Sequence, residues 1–228
     1  MFFDVNYLIW VALPTLVLSL LAQAFVSSAY NKWSKVRNSS GISGVEVAER
    51  IFRSTDVQRL PLEATPGQLS DHYDPTAGVV RLSQGIASTP SVAAMAVVAH
   101  ELGHVQQHQE RSVLIQMRQI LVPGVRFAPQ IGYMMIFAGL LLNFTGLMYV
   151  GIALFGVMVV FMILTLPVEI DASLRGLKLL RQAGLMTAPE DSSGARQVLT
   201  AAAMTYVAAA ITAVLQLLYY LSLAQRRN

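Results

Sequence analysis

The stretch "AMAVVAHELGHVQQHQE", residues 94–110, places three histidines, two glutamates and three glutamines directly behind an apolar run, in a chain with four histidines in all. His100, Glu101, Leu102, Gly103 and His104 fit the pattern HExxH. On an α-helix, residues i and i+4 stack one turn apart on one face, so two imidazoles at this spacing can share one Zn²⁺. Glu101 then stands beside the position of a zinc-activated water, where a carboxylate can take the water's proton during attack on a carbonyl and hand it to the leaving amine. A helix with two polar faces at an exposed surface would produce the same letters by chance. Against that stands "VAAMAVVA", residues 92–99, which is so apolar that the helix must be largely buried. Burying two histidines and a glutamate without a joint purpose is costly.

Zinc in a hydrolytic site takes three protein ligands and keeps a fourth position for water. His108 continues the i, i+4, i+8 series, but two helical turns put it about 11 Å along the axis from His100, too far for bonds of about 2 Å. The position six residues after His104 is Glu110, so the metzincin pattern with a third histidine there is absent. A better source is "LPVEIDASLRG", residues 166–176, where the carboxylates Glu169 and Asp171 follow directly on an apolar segment. A charge at a span end is expensive unless it is used. With Glu169 as third ligand the set is His, His, Glu. Such a set accepts zinc, and also cobalt or manganese.

Around this cluster the chain reads as a membrane protein. Of its 228 residues 54% are hydrophobic and 13% are charged, against roughly 25% charged in soluble domains. No cysteine is present, so disulfides, thiolate ligands and cysteine nucleophiles are excluded. Residues 7–30 carry no charge, and about two dozen residues at 1.5 Å each suffice to cross a ~30 Å hydrocarbon core. The only charge ahead of them is Asp4, whereas a signal peptide has a basic start, so they are expected to stay as a helix in which Pro14 is tolerated. Residues 131–167 form a second apolar stretch of 37 residues, interrupted at "NFTG" (143–146), which suits a transmembrane hairpin whose glycines at 139, 146, 151 and 156 permit close packing. Residues 198–224 supply a fourth span. Between these lie a polar domain, 31–130, holding all four histidines and most of the acidic residues, and a second polar segment, 168–197, holding Glu169.

Four spans put both polar segments on one side, together with fourteen of the sixteen Lys and Arg, so the positive-inside rule predicts a multi-pass protein of the cell membrane with its polar domain in the cytoplasm. The basic residues flank spans rather than forming a stripe, which excludes a nucleic-acid partner and leaves the lipid bilayer as the surrounding medium. Within the polar domain, "GVEVAERIFRS" (44–54) is expected as a short amphipathic helix and "GVVRLS" (78–83) as a strand, with Ser91 as N-cap of the HExxH helix. "DHYDP", residues 71–75, has two readings: His72 or Tyr73 donates a hydrogen bond to the developing oxyanion, or Asp74 and Pro75 simply make a capped turn.

Taken in order, "SGVEVAERIF" (43–52), "GQLSDHYDP" (67–75), "VVRLS" (79–83), "AMAVVAHELGHVQQ" (94–107) and "PVEIDAS" (167–173) resemble the YugP-like family of membrane zinc metallopeptidases, distant relatives of the HtpX and Ste24 type of membrane gluzincin. The resemblance covers nearly the whole chain. It implies a mainly α membrane protein with about four transmembrane helices and a small α+β, zincin-like catalytic domain built around the HExxH helix. It further implies one zinc per chain held by His100, His104 and Glu169, with Glu101 as general base and a protein or peptide, membrane-associated or not, as substrate. In the HtpX-like relatives the ligand glutamate opens an ExxxD pattern whose aspartate orients a zinc-bound histidine. Ser173 stands at that position here, leaving Asp171 or Asp74 as substitutes. By the same resemblance, "VVRLS" is an edge strand that pairs with an extended substrate.

A membrane protein that keeps the metal as a scaffold or for partner binding, without turnover, is the competing reading, and the presence of all four site residues argues against it. A transporter would carry ionisable residues in mid-span, and residues 7–30, 131–167 and 198–224 contain none.

Overall fold

Four helices of the computed structural model, which describes residues 5–227, are long and apolar enough to cross a membrane: Val5–Trp33, Val113–Leu141, Thr145–Gln182 and Pro189–Gln225. Asp4, the charge ahead of the first of them, lies outside the described residues. The first helix comprises α1 (Val5–Tyr7), a π-helical turn (Leu8–Ala12) and α2 (Leu13–Trp33). In that wide turn the Leu13 N–H donates to the Leu8 carbonyl, one residue further back than in an α-helix, immediately ahead of Pro14. A proline has no N–H and its ring crowds the carbonyl four residues back, so the wider turn absorbs it.

The chain divides into two units. One consists of the described residues of Met1–Gln23, Gln116–Pro167 and Met204–Asn228. The helix containing Ile131 begins well ahead of it: α6, as numbered along the chain, is Val113–Leu141 and takes in Pro123, Pro129, Arg118 and Arg126. The charges looked like the end of a polar segment, yet each guanidinium has an aromatic cover, Arg118 lying 5.8 Å from the Phe161 ring and Arg126 5.7 Å from Phe127. The "NFTG" break is a tight turn into α7 (Thr145–Gln182), with Asn143 at a left-handed φ of 49°. Of the glycines expected to admit close packing, Gly151 does so against the Gly132 backbone, whereas Gly156 has open space around it.

The other unit, Ala24–Ile115 and Val168–Ala203, contains every residue singled out for chemistry. Its first helix, α3 (Gly44–Ser54), starts in a capping box of Ser43 and Glu46 and buries Val47, Ala48 and Ile51. Three short strands follow, β1 (Leu62–Thr65), β2 (His72–Asp74) and β3 (Val79–Ser83), then a single turn α4 (Gln84–Ser88) and α5 (Val92–Gln109), whose N-cap is Ser91. The sheet order is β1-β3-β2, with β1 parallel and β2 antiparallel to β3. This corrects the expectation for "VVRLS": both sides of β3 are paired, so it is the central strand and offers no edge to a substrate. Val79, Val80, Leu82 and Ser83 are all buried, the signature of a strand covered on both faces. The edges belong to β1 and β2.

The segment expected to be polar and separate, 168–197, is largely helical. α7 runs through it to Gln182, and α8 (Pro189–Gln225) begins after a turn in which Asp191, 1% exposed, accepts the backbone N–H groups of Ala188 and Ser39. Glu169 therefore sits on a continuous helix rather than in a loop.

Candidate metal centre

α5 is buried along most of its length, with Val92–Ala96, Val98, Ala99, Leu102 and Val105 in one core with Val47, Ile51, Val80 and Leu82. Its contact with α7 is closer than side chains permit. A Cβ on Gly103 would lie 2.2 Å from the Ala172 carbonyl oxygen, and one on Gly176 would lie 2.7 Å from the Ala99 carbonyl oxygen. Glycines on both helices thus let the two backbones touch, as small residues do wherever helices pack at short range.

That contact carries Glu169, one turn before Ala172, to the two histidines. Its Oε2 lies 3.3 Å from Nε2 of His100 and 3.5 Å from Nε2 of His104. The three ligand atoms all fall within 4.8 Å of one another. Tetrahedral bonds of about 2.05 Å place ligand atoms roughly 3.3 Å apart, so the donor set fits a zinc ion in chemistry and the two carboxylate–imidazole separations match it in spacing. Among the described residues this is the group of His, Asp and Glu side chains so arranged. Burial disfavours charge on His104, but the hydrogen bond and charge of Glu169 outweigh it and raise the imidazole pKa above its ordinary value.

Each imidazole is held from behind. Nδ1 of His100 lies 3.1 Å from the Ser173 hydroxyl, so the residue at the ExxxD aspartate position does contact the histidine, through a hydroxyl. Nδ1 of His104 lies 3.0 Å from Oε1 of Gln107, whose Nε2 donates to Asp171 at 2.7 Å. Of the two substitutes named from the sequence, Asp171 is linked to a histidine through Gln107. Asp74 instead pairs with Arg81 at 2.6 Å and caps the turn by accepting N–H groups from Thr76 and Ala77. Those bonds to Ala77 and Arg81 hold its carboxyl down to about 2.

Glu101 is 7% exposed, and its Oε2 accepts the backbone N–H of Tyr73 at 2.8 Å. The structure thus brings Tyr73 to the site by its peptide group, at the outer edge of β2. The Tyr73 ring packs edge-to-face on His108 at 5.8 Å, and burial with the nearby Asp74 charge raises its phenol pKa, keeping the hydroxyl a neutral donor. His72 goes elsewhere. Neighbouring strand residues face opposite ways, and His72 is exposed, with Nδ1 2.8 Å from the Ser70 carbonyl oxygen and Nε2 3.4 Å from Arg81. His108 meets the Tyr73 ring edge-to-face and is not in the ligand group.

The sequence reading missed Gly103, Gly176 and Gln107. A glycine inside a helix costs about 1 kcal/mol relative to alanine, so its presence in "HELGH" was a signal of close backbone contact. Of the three glutamines behind the motif, Gln107 is the one three residues after His104 and seven after His100, so helical periodicity was the signal for it.

The model of one protein family, described as "Putative neutral zinc metallopeptidase", matches residues 8–225. The chain is also similar to the "Putative membrane protease YugP" of Bacillus subtilis (strain 168), with 40% identity over 212 residues that cover 93% of this chain and 94% of that protein. No solved structure matches it at a significant level.

Proposed function

The chain belongs to this zinc metallopeptidase family, and on that premise we propose that it is a membrane-integrated, zinc-dependent endopeptidase that hydrolyses peptide bonds of protein substrates at the membrane surface. The observation that carries the proposal is the convergence of His100, His104 and Glu169 within 4.8 Å, with a buried Glu101 whose charge acts on His104. His100, His104 and Glu169 hold the ion. A zinc bound there supplies a Lewis acid for the scissile carbonyl and lowers the pKa of water. The Tyr73 N–H on Oε2 fixes the Glu101 carboxylate, leaving Oε1 to take the proton of the attacking water and deliver it to the leaving nitrogen. The Tyr73 phenol, neutral and half-buried, is the candidate donor to the developing oxyanion. The exposed position of His72 does not support the same role for it.

The sequence of α7 supports a site at the membrane surface. Residues 145–168 carry no charge and at 1.5 Å each span about 36 Å, enough for a ~30 Å hydrocarbon core. Glu169 is the first charge after them, and Ile170 and Leu174 beside it are exposed. The excess of Lys and Arg in 31–130 and 168–197 supports a cytoplasmic catalytic side. Glu101→Gln, purified in detergent, is expected to retain about one zinc per chain and to lose hydrolysis of an unfolded protein substrate by roughly 10²- to 10⁴-fold. Full activity in that variant would refute the assignment of the base.

A further inference from the structure

Behind the metal ligands one side chain is fixed by its partners alone. Gln107 is fully buried, at 0% exposure. Its Nε2 donates to the Val168 carbonyl at 2.8 Å and to Oδ2 of Asp171 at 2.7 Å. Carbonyl and carboxylate oxygens only accept, so turning the amide over would set its oxygen against two oxygens. Its Oε1 is therefore committed to His104, 3.0 Å from Nδ1. An amide oxygen also only accepts, so Nδ1 of His104 carries a hydrogen in either charge state, and the neutral ring has its lone pair on Nε2. Nε2 is the nitrogen that lies 3.5 Å from Glu169.

Asp171 is held in turn. Its Oδ2 accepts from Nε of Arg175 at 2.7 Å, and Nη1 of Arg175 donates to Glu110 at 2.6 Å. His100 has no comparable constraint, because the Ser173 hydroxyl at 3.1 Å can donate or accept and so satisfies either ring form.

We propose that Gln107 is the positioning residue of the metal centre: it holds His104 with Nδ1 protonated and Nε2 directed at the ion, while Asp171, Arg175 and Glu110 keep the Gln107 amide the right way round. The proposal rests on the metal reading of His100, His104 and Glu169. His104 is set for ligation before an ion arrives, whereas His100 selects its form when the ion binds. Gln107 and Asp171 thus supply, through an amide, the fixed acceptor that a metal-bound histidine ordinarily finds in a carboxylate or carbonyl.

The test compares full-length wild type, Gln107→Met, Gln107→Glu and Asp171→Ala in detergent. Zinc affinity is read by competition with a chromophoric chelator, and the His104 ring form by ¹⁵N-histidine NMR on the metal-free proteins. Gln107→Met keeps the length but removes the acceptor, so zinc affinity is expected to fall about 10- to 100-fold, with His104 distributed over both ring forms. Gln107→Glu returns an acceptor to His104 while adding a carboxylate beside Asp171. It is expected to bind zinc more tightly than Gln107→Met although it melts at a lower temperature. A purely structural role predicts the opposite order of affinities, which would overturn the proposal. Asp171→Ala alters a side chain that is 34% exposed, so it tests the same chain should the buried variants fail to fold. Freed to turn over, the amide is expected to bring a loss of up to about tenfold. Wild-type affinity and a uniform Nδ1–H form in Asp171→Ala and Gln107→Met would overturn the proposal. Wild-type protein that takes up no zinc would overturn the metal reading and this inference with it.

Discussion

Replacing Gly103 by alanine tests whether backbone contact between α5 and α7 makes the metal site. The added Cβ would sit 2.2 Å from the Ala172 carbonyl oxygen, 3.0 Å from its carbon and 3.2 Å from its Cα. All three are backbone atoms, so no side chain can swing aside. Reaching the about 3.3 Å at which carbon meets a carbonyl oxygen requires the helices to part by roughly 1 Å. Glu169 lies one turn along α7 from Ala172, at 3.3 and 3.5 Å from the two imidazole nitrogens. A displacement of that size exceeds the tolerance of about 0.2 Å on zinc–ligand bonds.

Stability should change much less than metal binding. Overpacking costs about 1–3 kcal/mol, while alanine in place of a mid-helix glycine returns about 1 kcal/mol. The variant is thus expected to fold, with a metal-free melting temperature lowered by several degrees, and to lose zinc affinity by on the order of 100-fold or more. Chelator competition and metal content per chain measure the loss. Gly176→Ala, where the contact is 2.7 Å, should give a smaller loss, and Gly156→Ala, with open space around it, none. Wild-type zinc affinity in Gly103→Ala, or equal losses at all three glycines, would refute the argument that the close approach places the third ligand.

Three further outcomes follow from the same geometry. Ser173→Ala should weaken zinc binding about tenfold by releasing His100, and Ser173→Asp should restore it by offering a carboxylate to the same nitrogen, as read by chelator competition. Because Glu169 raises the His104 pKa in the metal-free protein, a proton on Nε2 competes with the ion: zinc affinity should be level at high pH and fall as pH drops through a value above the ordinary imidazole pKa, by roughly tenfold per unit for the proton displaced. Asp74, whose folded pKa is depressed to about 2, should stabilise the β2–β3 turn at all pH values above its unfolded pKa. The difference in melting temperature between wild type and Asp74→Asn should therefore be constant above about pH 4 and vanish as pH falls through about 2.

The parts of the site that were legible are those set by local periodicity. Two histidines four residues apart share a helix face whatever surrounds them, and Ser91 caps that helix by the chemistry of its own hydroxyl, 3.1 Å from the Ala94 N–H. Glu169 was legible for a different reason, as a carboxylate placed where charge is costly. The capping box of α3 and the turn at Asp74 belong to the same local class. By contrast, "VVRLS" alternates too weakly to tell an edge strand from a central one, and its position was decided by partners on both sides. The start of α6 was hidden because Arg118 and Arg126 read as solvent-seeking until their aromatic covers are seen.

The same distinction explains the division of labour in the metal centre. The residues that would touch the ion are charged or polar in an apolar setting, so their cost advertises them. Those that set the geometry are a missing side chain at Gly103 and an amide at Gln107, one of three glutamines within four residues. Neither carries a charge, and their effect exists only because α7 lies against α5. A methyl added at Gly103 should therefore separate metal affinity from fold stability more cleanly than mutations of the ligands, whose removal leaves buried charge behind. Losing the Glu169 carboxylate uncovers two imidazoles. Adding one methyl at position 103 leaves every ligand present and displaces only their meeting point.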